Sequence, residues 1–134
     1  MNKKDIQFYQ KNGFLIKEKL IDLKTINKIN ELLKKLKKLK NYKYFEYKLI
    51  NKKRFVLRLQ DPHTKHRLFY NLSKNEKIIN IVAGLLGGTV RFHHSKLNFK
   101  PPSNLGGIIH WHQDWAFYPH TNDDLLAVGI YLED

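Results

Sequence analysis

The chain has no cysteine among its 134 residues, which excludes a disulfide framework and any thiolate metal site. The redox compartment is left open by that absence. Arginine is scarce too. Only Arg54, Arg58, Arg67 and Arg91 stand among 25 basic residues, and the rest are lysines. The net charge of +13 is therefore a poor sign of a nucleic-acid reader, because such proteins lean on arginine's bidentate fork. A bias toward lysine, asparagine and isoleucine accounts for the charge. No apolar run approaches membrane-spanning length. The opening MNKKDIQFYQKNGF is charged and has no apolar signal-peptide core. The expectation is a single cytoplasmic domain that binds neither nucleic acid nor membrane.

What is present has a clear order. DIQFYQKN reads as a short helix ending at Gly13, a residue suited to a left-handed C-cap, and Phe14 to Lys17 reads as a strand. Over residues 22–40, Leu23, Ile26, Ile29, Leu33, Leu36 and Leu39 recur every three or four positions, which predicts a helix with one apolar stripe. Asp22 is a fitting N-cap, and the lysines crowding the last turns suit the helix dipole. KRFVLRLQDP reads as a strand stopped by Pro62. Residues 75–86 read as a third helix, with Ser73 and Glu76 as a capping box and Gly87 and Gly88 at its end. Strands are expected over 90–99, 107–114 and 124–132, divided by Pro101–Pro102 and by the turn cluster YPHTNDD. Helices first and antiparallel strands after make this an α+β chain.

Chemistry concentrates in HWHQDWAFYP, residues 110 to 119. His110, His112 and Asp114 fall at every second position, so a strand presents all three on one face. His-x-Asp supplies two members of the 2-His-1-carboxylate triad, which holds non-haem Fe(II) and leaves positions open for cosubstrate and oxygen. Chance produces H-x-D often. The wall of Trp111, Trp115, Phe117 and Tyr118 around it argues against a plain surface histidine beside a turn carboxylate.

HHSKLNFKPP followed by HWHQDWAFYPHTNDDLLAVGIYLED resembles the phytanoyl-CoA dioxygenase family of Fe(II)- and 2-oxoglutarate-dependent oxygenases. FYQKNGFLIKEKLI, LQDP and LFYNLSKNEKIINIVAGLLGG extend the resemblance over nearly the whole chain. It implies that His112 and Asp114 are metal ligands, with Fe(II) as the metal and 2-oxoglutarate and O2 as cosubstrates. Asn98 matches a cosubstrate contact, Lys96 shares its face, and Arg58 matches a basic position that reaches the cosubstrate in some members. Trp115 and His94 would line the substrate side, with His93 on the opposite face, and His110 becomes a wall residue. The partner implied is a small organic molecule hydroxylated at a C–H bond.

The resemblance also implies groups that these residues do not supply. The family completes its triad with a second histidine far downstream and binds the distal carboxylate of 2-oxoglutarate with an arginine beyond it. After Asp114 the only histidine is His120, in a turn that matches a substrate-side loop, and the last arginine is Arg91. The family fold is a double-stranded β-helix, a jelly roll of about eight strands, and the chain has room for roughly half of them. The expectation is the N-terminal half of such a domain, a helical region over residues 1–88 and barrel strands over 89–134, inactive without a missing C-terminal half. A basic binding module in which HWHQD only packs, and a cupin-type isomerase or storage protein, stand as alternatives. Cupins bring three histidines and a glutamate, which suits this stretch less.

Overall fold

The computed structural model describes residues 2–38, 45–100, 110–122 and 124–133. The first helix, α1 (Lys3–Asn12), is capped by Asn2 and closed by Gly13 at φ 77°. That left-handed conformation costs glycine little. Helix α2 (Leu23–Lys38) starts where the sequence predicts, with Thr25 N and Oγ1 both donating to the Asp22 carboxylate at 2.8 Å. Those bonds hold the Asp22 carboxyl below its ordinary value. Residues 39 and 40 lie outside the described residues.

The apolar stripe of α2 buries Ile29 and Leu33 against the sheet, and Leu36 packs at the edge of the same cluster. Leu23, at the head of the stripe, is exposed. The sheet has three antiparallel strands in the order β1 (Phe45–Ile50), β2 (Lys53–Gln60), β3 (Lys96–Asn98). Phe45 and Leu59 face α2, and Phe69 of the short helix α4 (Arg67–Ser73) completes the core. Asp61 and the single turn α3 (Pro62–Lys65) connect β2 to α4. Helix α5 (Glu76–Leu86) follows and ends at Gly87, φ 78°.

Several expectations are corrected. Phe14 to Lys17 form no strand. Phe14 packs edge-on to Phe8 at 5.5 Å, Ile16 lies open to solvent, and the segment pairs with no strand among the described residues. Ser73 does not cap α5. It ends α4, donating to Tyr70 O, and the cap is Asn75, whose Oδ1 accepts from Lys77 N and Ile78 N. The stretch expected to be helical contains the β1–β2 hairpin. Its turn places Asn51 and Lys52 at φ 48° and 63°, the left-handed pair that a two-residue hairpin requires.

The strand expected over 90–99 shrinks to Lys96–Asn98, although Asp61 N→Ser95 O and Phe99 N→Leu57 O, both 2.9 Å, extend its pairing at each end. Of the strand expected over 107–114, residues 107–109 lie outside the described residues, and 110–113 pair with no strand among the described residues. Residues 124–132 form no ladder among the described residues. Leu132 packs against the core, and its carbonyl accepts from Asn30 Nδ2 at 2.9 Å. Alternating side chains mark a segment that can be a strand, and only a neighbouring edge makes it one. The α+β class stands, and a jelly-roll barrel is not formed by the described residues.

Leu59 is 1% exposed between helix and sheet, whereas Leu49 on the hairpin is 59% exposed. Leu59→Ala is expected to cost about 2–5 kcal/mol and Leu49→Ala less than about 0.5 kcal/mol, measured by urea unfolding.

Candidate functional site

His112 and Asp114 meet through a turn rather than across a pleat. Asp114 opens a 3-10 turn (Asp114–Ala116), and its carbonyl accepts from Phe117 N at 2.9 Å and Tyr118 N at 3.0 Å. The turn brings the carboxylate back toward the preceding imidazole, so that His112 Nε2 stands 3.2 Å from Asp114 Oδ1. The other ring nitrogen, Nδ1, lies 2.7 Å from the His110 carbonyl. A carbonyl only accepts, so Nδ1 is the donor of that contact, and Nε2 is the nitrogen that faces Asp114. Phe117 stands edge-on to the His112 ring at 5.4 Å and restricts its rotation.

An imidazole fixed by a backbone carbonyl, with its far nitrogen beside a carboxylate, has the arrangement of a metal ligand pair. Two donors bound to one ion at about 2.1 Å and at right angles stand about 3 Å apart, close to the spacing found. As a salt bridge the contact gains little, because the two side chains are 36% and 37% exposed. His110 contributes its carbonyl and is itself exposed. Among the described residues no third His, Asp or Glu joins the pair. His120 is turned aside, with Nδ1 2.6 Å from the Tyr118 carbonyl.

Tyr118 links this turn to the strand bearing the other predicted residues. Its ring lies 4.4 Å from the His94 ring and 6.0 Å from that of His93, and the Lys96 ammonium stands 5.8 Å from its centroid. His93 and His94 also approach each other, Nδ1 to Nδ1, at 2.7 Å. Tyr118 therefore touches both histidines, where strand alternation separates them. Burial holds the His94 imidazolium below its ordinary pKa, helped by His93 and Lys96 and opposed by Asp61 and Asp114.

Further along the strand, Arg58 Nε donates to Asn98 Oδ1 at 3.1 Å. The pleat makes this contact possible. Leu59 and Leu97 face the core, while the opposed Arg58 and Asn98 face away from it. Glu46, absent from the sequence reading, accepts from Gln60 Nε2 at 2.9 Å and lies 3.8 Å from Arg58. Its strand-like neighbours FEYKLI were the one available signal. Trp115 and Trp111 are exposed, and neither is packed over the His112–Asp114 pair as a closed wall.

The comparison with protein families concerns the chain as a whole. The phytanoyl-CoA dioxygenase family model matches residues 9–134, and the chain belongs to that family. It is 47% identical over 81 residues to a Stutzerimonas stutzeri protein named "probable alpha-ketoglutarate-dependent hypophosphite dioxygenase", covering 60% of this chain and 28% of that one. It is 27% identical over 137 residues to an ectoine dioxygenase of Streptomyces anulatus, covering 98% of this chain and 46% of that one. An ectoine dioxygenase of Stutzerimonas stutzeri is 31% identical over 77 residues, 54% of this chain and 25% of that one. The chain spans less than half the length of each of these relatives. Among the described residues no helix is long and apolar enough to cross a membrane.

The lowered His94 value fixes the sign of a pH effect. The folded chain keeps His94 neutral where the unfolded chain, with the ordinary value of 6.5, binds a proton. Stability is then lost as pH falls below 6.5 toward the folded value, and is flat with respect to this group above it. Urea unfolding between about pH 5.5 and about pH 7.5 should show a shallower rise with pH in His94→Asn than in the native chain.

Proposed function

We propose that this chain carries part of the active site of an Fe(II)- and 2-oxoglutarate-dependent dioxygenase, with His112 and Asp114 as two of its metal ligands. The observation that supports this reading most is the His112–Asp114 pair, Nε2 to Oδ1 3.2 Å, with the tautomer set by the His110 carbonyl. Its donor set fits iron in this class, one imidazole and one carboxylate on one side of the ion. The third ligand and the arginine for the distal carboxylate of 2-oxoglutarate belong to residues beyond this chain, in the further part of the domain. Iron bound here, with 2-oxoglutarate and oxygen, supplies the oxidising power to hydroxylate a substrate.

The chain's own residues supply binding and orientation. His110 holds the His112 proton on Nδ1 through its backbone, and its side chain serves as wall. Asp114 offsets the charge of the cation. Lys96 and Asn98 present an ammonium and an amide to the cosubstrate from one face of β3. Arg58 stands between Asn98 and Glu46, which lets it orient the Asn98 amide while part of its own charge is neutralised. His94 and Trp115 border the substrate side, with Tyr118 between His94 and the metal-binding turn.

The substrate reads as a small polar molecule. The two relatives carry hypophosphite and ectoine in their names, the first with a P–H bond to oxidise and the second with C–H bonds. The Lys96 ammonium at this edge suits a substrate that carries negative charge.

Metal uptake by the purified chain tests this reading without requiring turnover. His112→Ala and Asp114→Ala should each weaken Mn(II) or anaerobic Fe(II) binding by about ten-fold or more, by titration calorimetry. His110→Phe should bind normally, because it keeps the carbonyl. Binding lost in His110→Phe and kept in Asp114→Ala would show that the ligands are the two histidines. Succinate formation by the chain alone is expected to be negligible. In the full-length enzyme, Asn98→Ala should weaken 2-oxoglutarate binding by about 1.5–3 kcal/mol, the loss of one hydrogen bond to a charged group.

A further inference from the structure

We propose that Asp61 and His63 are positioning residues: they clamp Ser95 and so set the register of β3 on β2. The clamp matters to function through the cosubstrate assignment made above for Arg58, Asn98 and Lys96, and its functional part rests on that assignment.

The register needs setting because β3 is short. It pairs Arg58 with Asn98, Leu59 with Leu97 and Gln60 with Lys96. A slip of one residue turns Lys96 and Asn98 into the core and is excluded by hydrophobicity. A slip of two in one direction places Ser95 opposite Leu59, also a poor match. A slip of two in the other direction keeps the apolar face intact, because Phe99 then stands opposite Leu59. It also places Lys100 opposite Arg58, cation against cation, and moves Asn98 to Gln60. The apolar pattern does not distinguish this register from the one observed.

Ser95 is held at all three of its polar groups. Asp61 N donates to Ser95 O at 2.9 Å, and Ser95 N donates to Asp61 Oδ1 at 3.3 Å. His63 Nδ1 lies 2.7 Å from Ser95 Oγ. The corner supplying these groups is itself fixed. Asp61 is left-handed at φ 45° and ψ 54°, Pro62 starts α3 directly after it, and Thr64 N and Oγ1 both donate to the Asp61 carbonyl. The His63 ring packs edge-on to Phe92 at 4.9 Å, three residues before Ser95 on the segment that leads into β3. A non-glycine residue kept left-handed at the end of a strand is a conformation that its surroundings must hold. Here it aims a backbone N–H and a carboxylate at one residue. Ser95 lies between His94 and Lys96, so fixing it fixes both neighbours.

The test compares Asp61→Ala with Asp61→Asn, which keeps an acceptor oxygen and tolerates the left-handed conformation. His63→Phe is the milder variant, keeping the packing on Phe92 without the polar contact. In the isotope-labelled chain, nuclear Overhauser contacts between Arg58 and Asn98 report the register. They should weaken in Asp61→Ala and, to a smaller extent, in His63→Phe, with new Arg58–Lys100 and Leu59–Phe99 contacts, and return in Asp61→Asn. Mn(II) affinity should stay as in the native chain, while in the Mn(II)-loaded full-length enzyme 2-oxoglutarate affinity falls about ten-fold in Asp61→Ala and recovers in Asp61→Asn. Unchanged Arg58–Asn98 contacts in Asp61→Ala and His63→Phe would overturn the clamp. If Asp61→Ala does not fold, His63→Phe decides by the same contacts. A full-length enzyme whose 2-oxoglutarate affinity is unchanged in Asn98→Ala would overturn the cosubstrate assignment and not the clamp, which the Arg58–Asn98 contacts decide by themselves.

Discussion

The pleat of β2 is the constraint on which the rest depends. Successive residues of a strand point to opposite sides, so Leu59 enters the core with Ile29, Leu33, Phe45 and Phe69, and Arg58 must leave it. The same alternation on β3 sends Leu97 inward and Lys96 and Asn98 outward. Burial thus stabilises one face of the sheet and, by geometry alone, lines up polar groups on the other. The helix α2 that covers the inner face is needed for the outer face to hold its shape.

The two halves of the candidate site are built by different means. Arg58, Asn98 and Lys96 are placed by a ladder, with side chains fixed to a rigid backbone. His112 and Asp114 are placed by a turn, and their relative position depends on two local devices: the Asp114 carbonyl that closes the 3-10 turn and the His110 carbonyl that fixes the imidazole. Tyr118 joins them, since its backbone N–H bonds to Asp114 and its ring packs on His94. A site supported by local hydrogen bonds can keep its ligand pair together without a neighbouring strand. That is why the pair stands within chelating distance although residues 110–113 join no sheet among the described residues.

Much of this was legible in the sequence. The period of α2 and α5, the Asp22 cap and the terminal Gly87 follow from local rules, and the structure has them where expected. The nearness of His112 and Asp114 was also legible, although the reason was wrong in detail: a turn brings them together, where a strand face was expected. Strand β1 was missed because its turn carries Asn51 and Lys52 in place of glycine, and Glu46 and Lys48 do not stand out as one face of an alternating pattern. The strands expected over 107–114 and 124–132 show how far a periodic pattern reaches. It reports which side chains want burial and says nothing about the edge a segment pairs with. The Glu46–Arg58 and Asp61–Ser95 contacts lie further still from the reach of sequence, because polar contacts between distant segments have no period.

The central claim is that a single imidazole, with its far nitrogen protonated, binds metal beside one carboxylate. Electron spin echo modulation of the Mn(II)-loaded chain tests it most directly. The account predicts coupling from one imidazole, retained in His110→Phe and absent in His112→Ala. Coupling from two imidazoles, or from one that persists in His112→Ala, would contradict it.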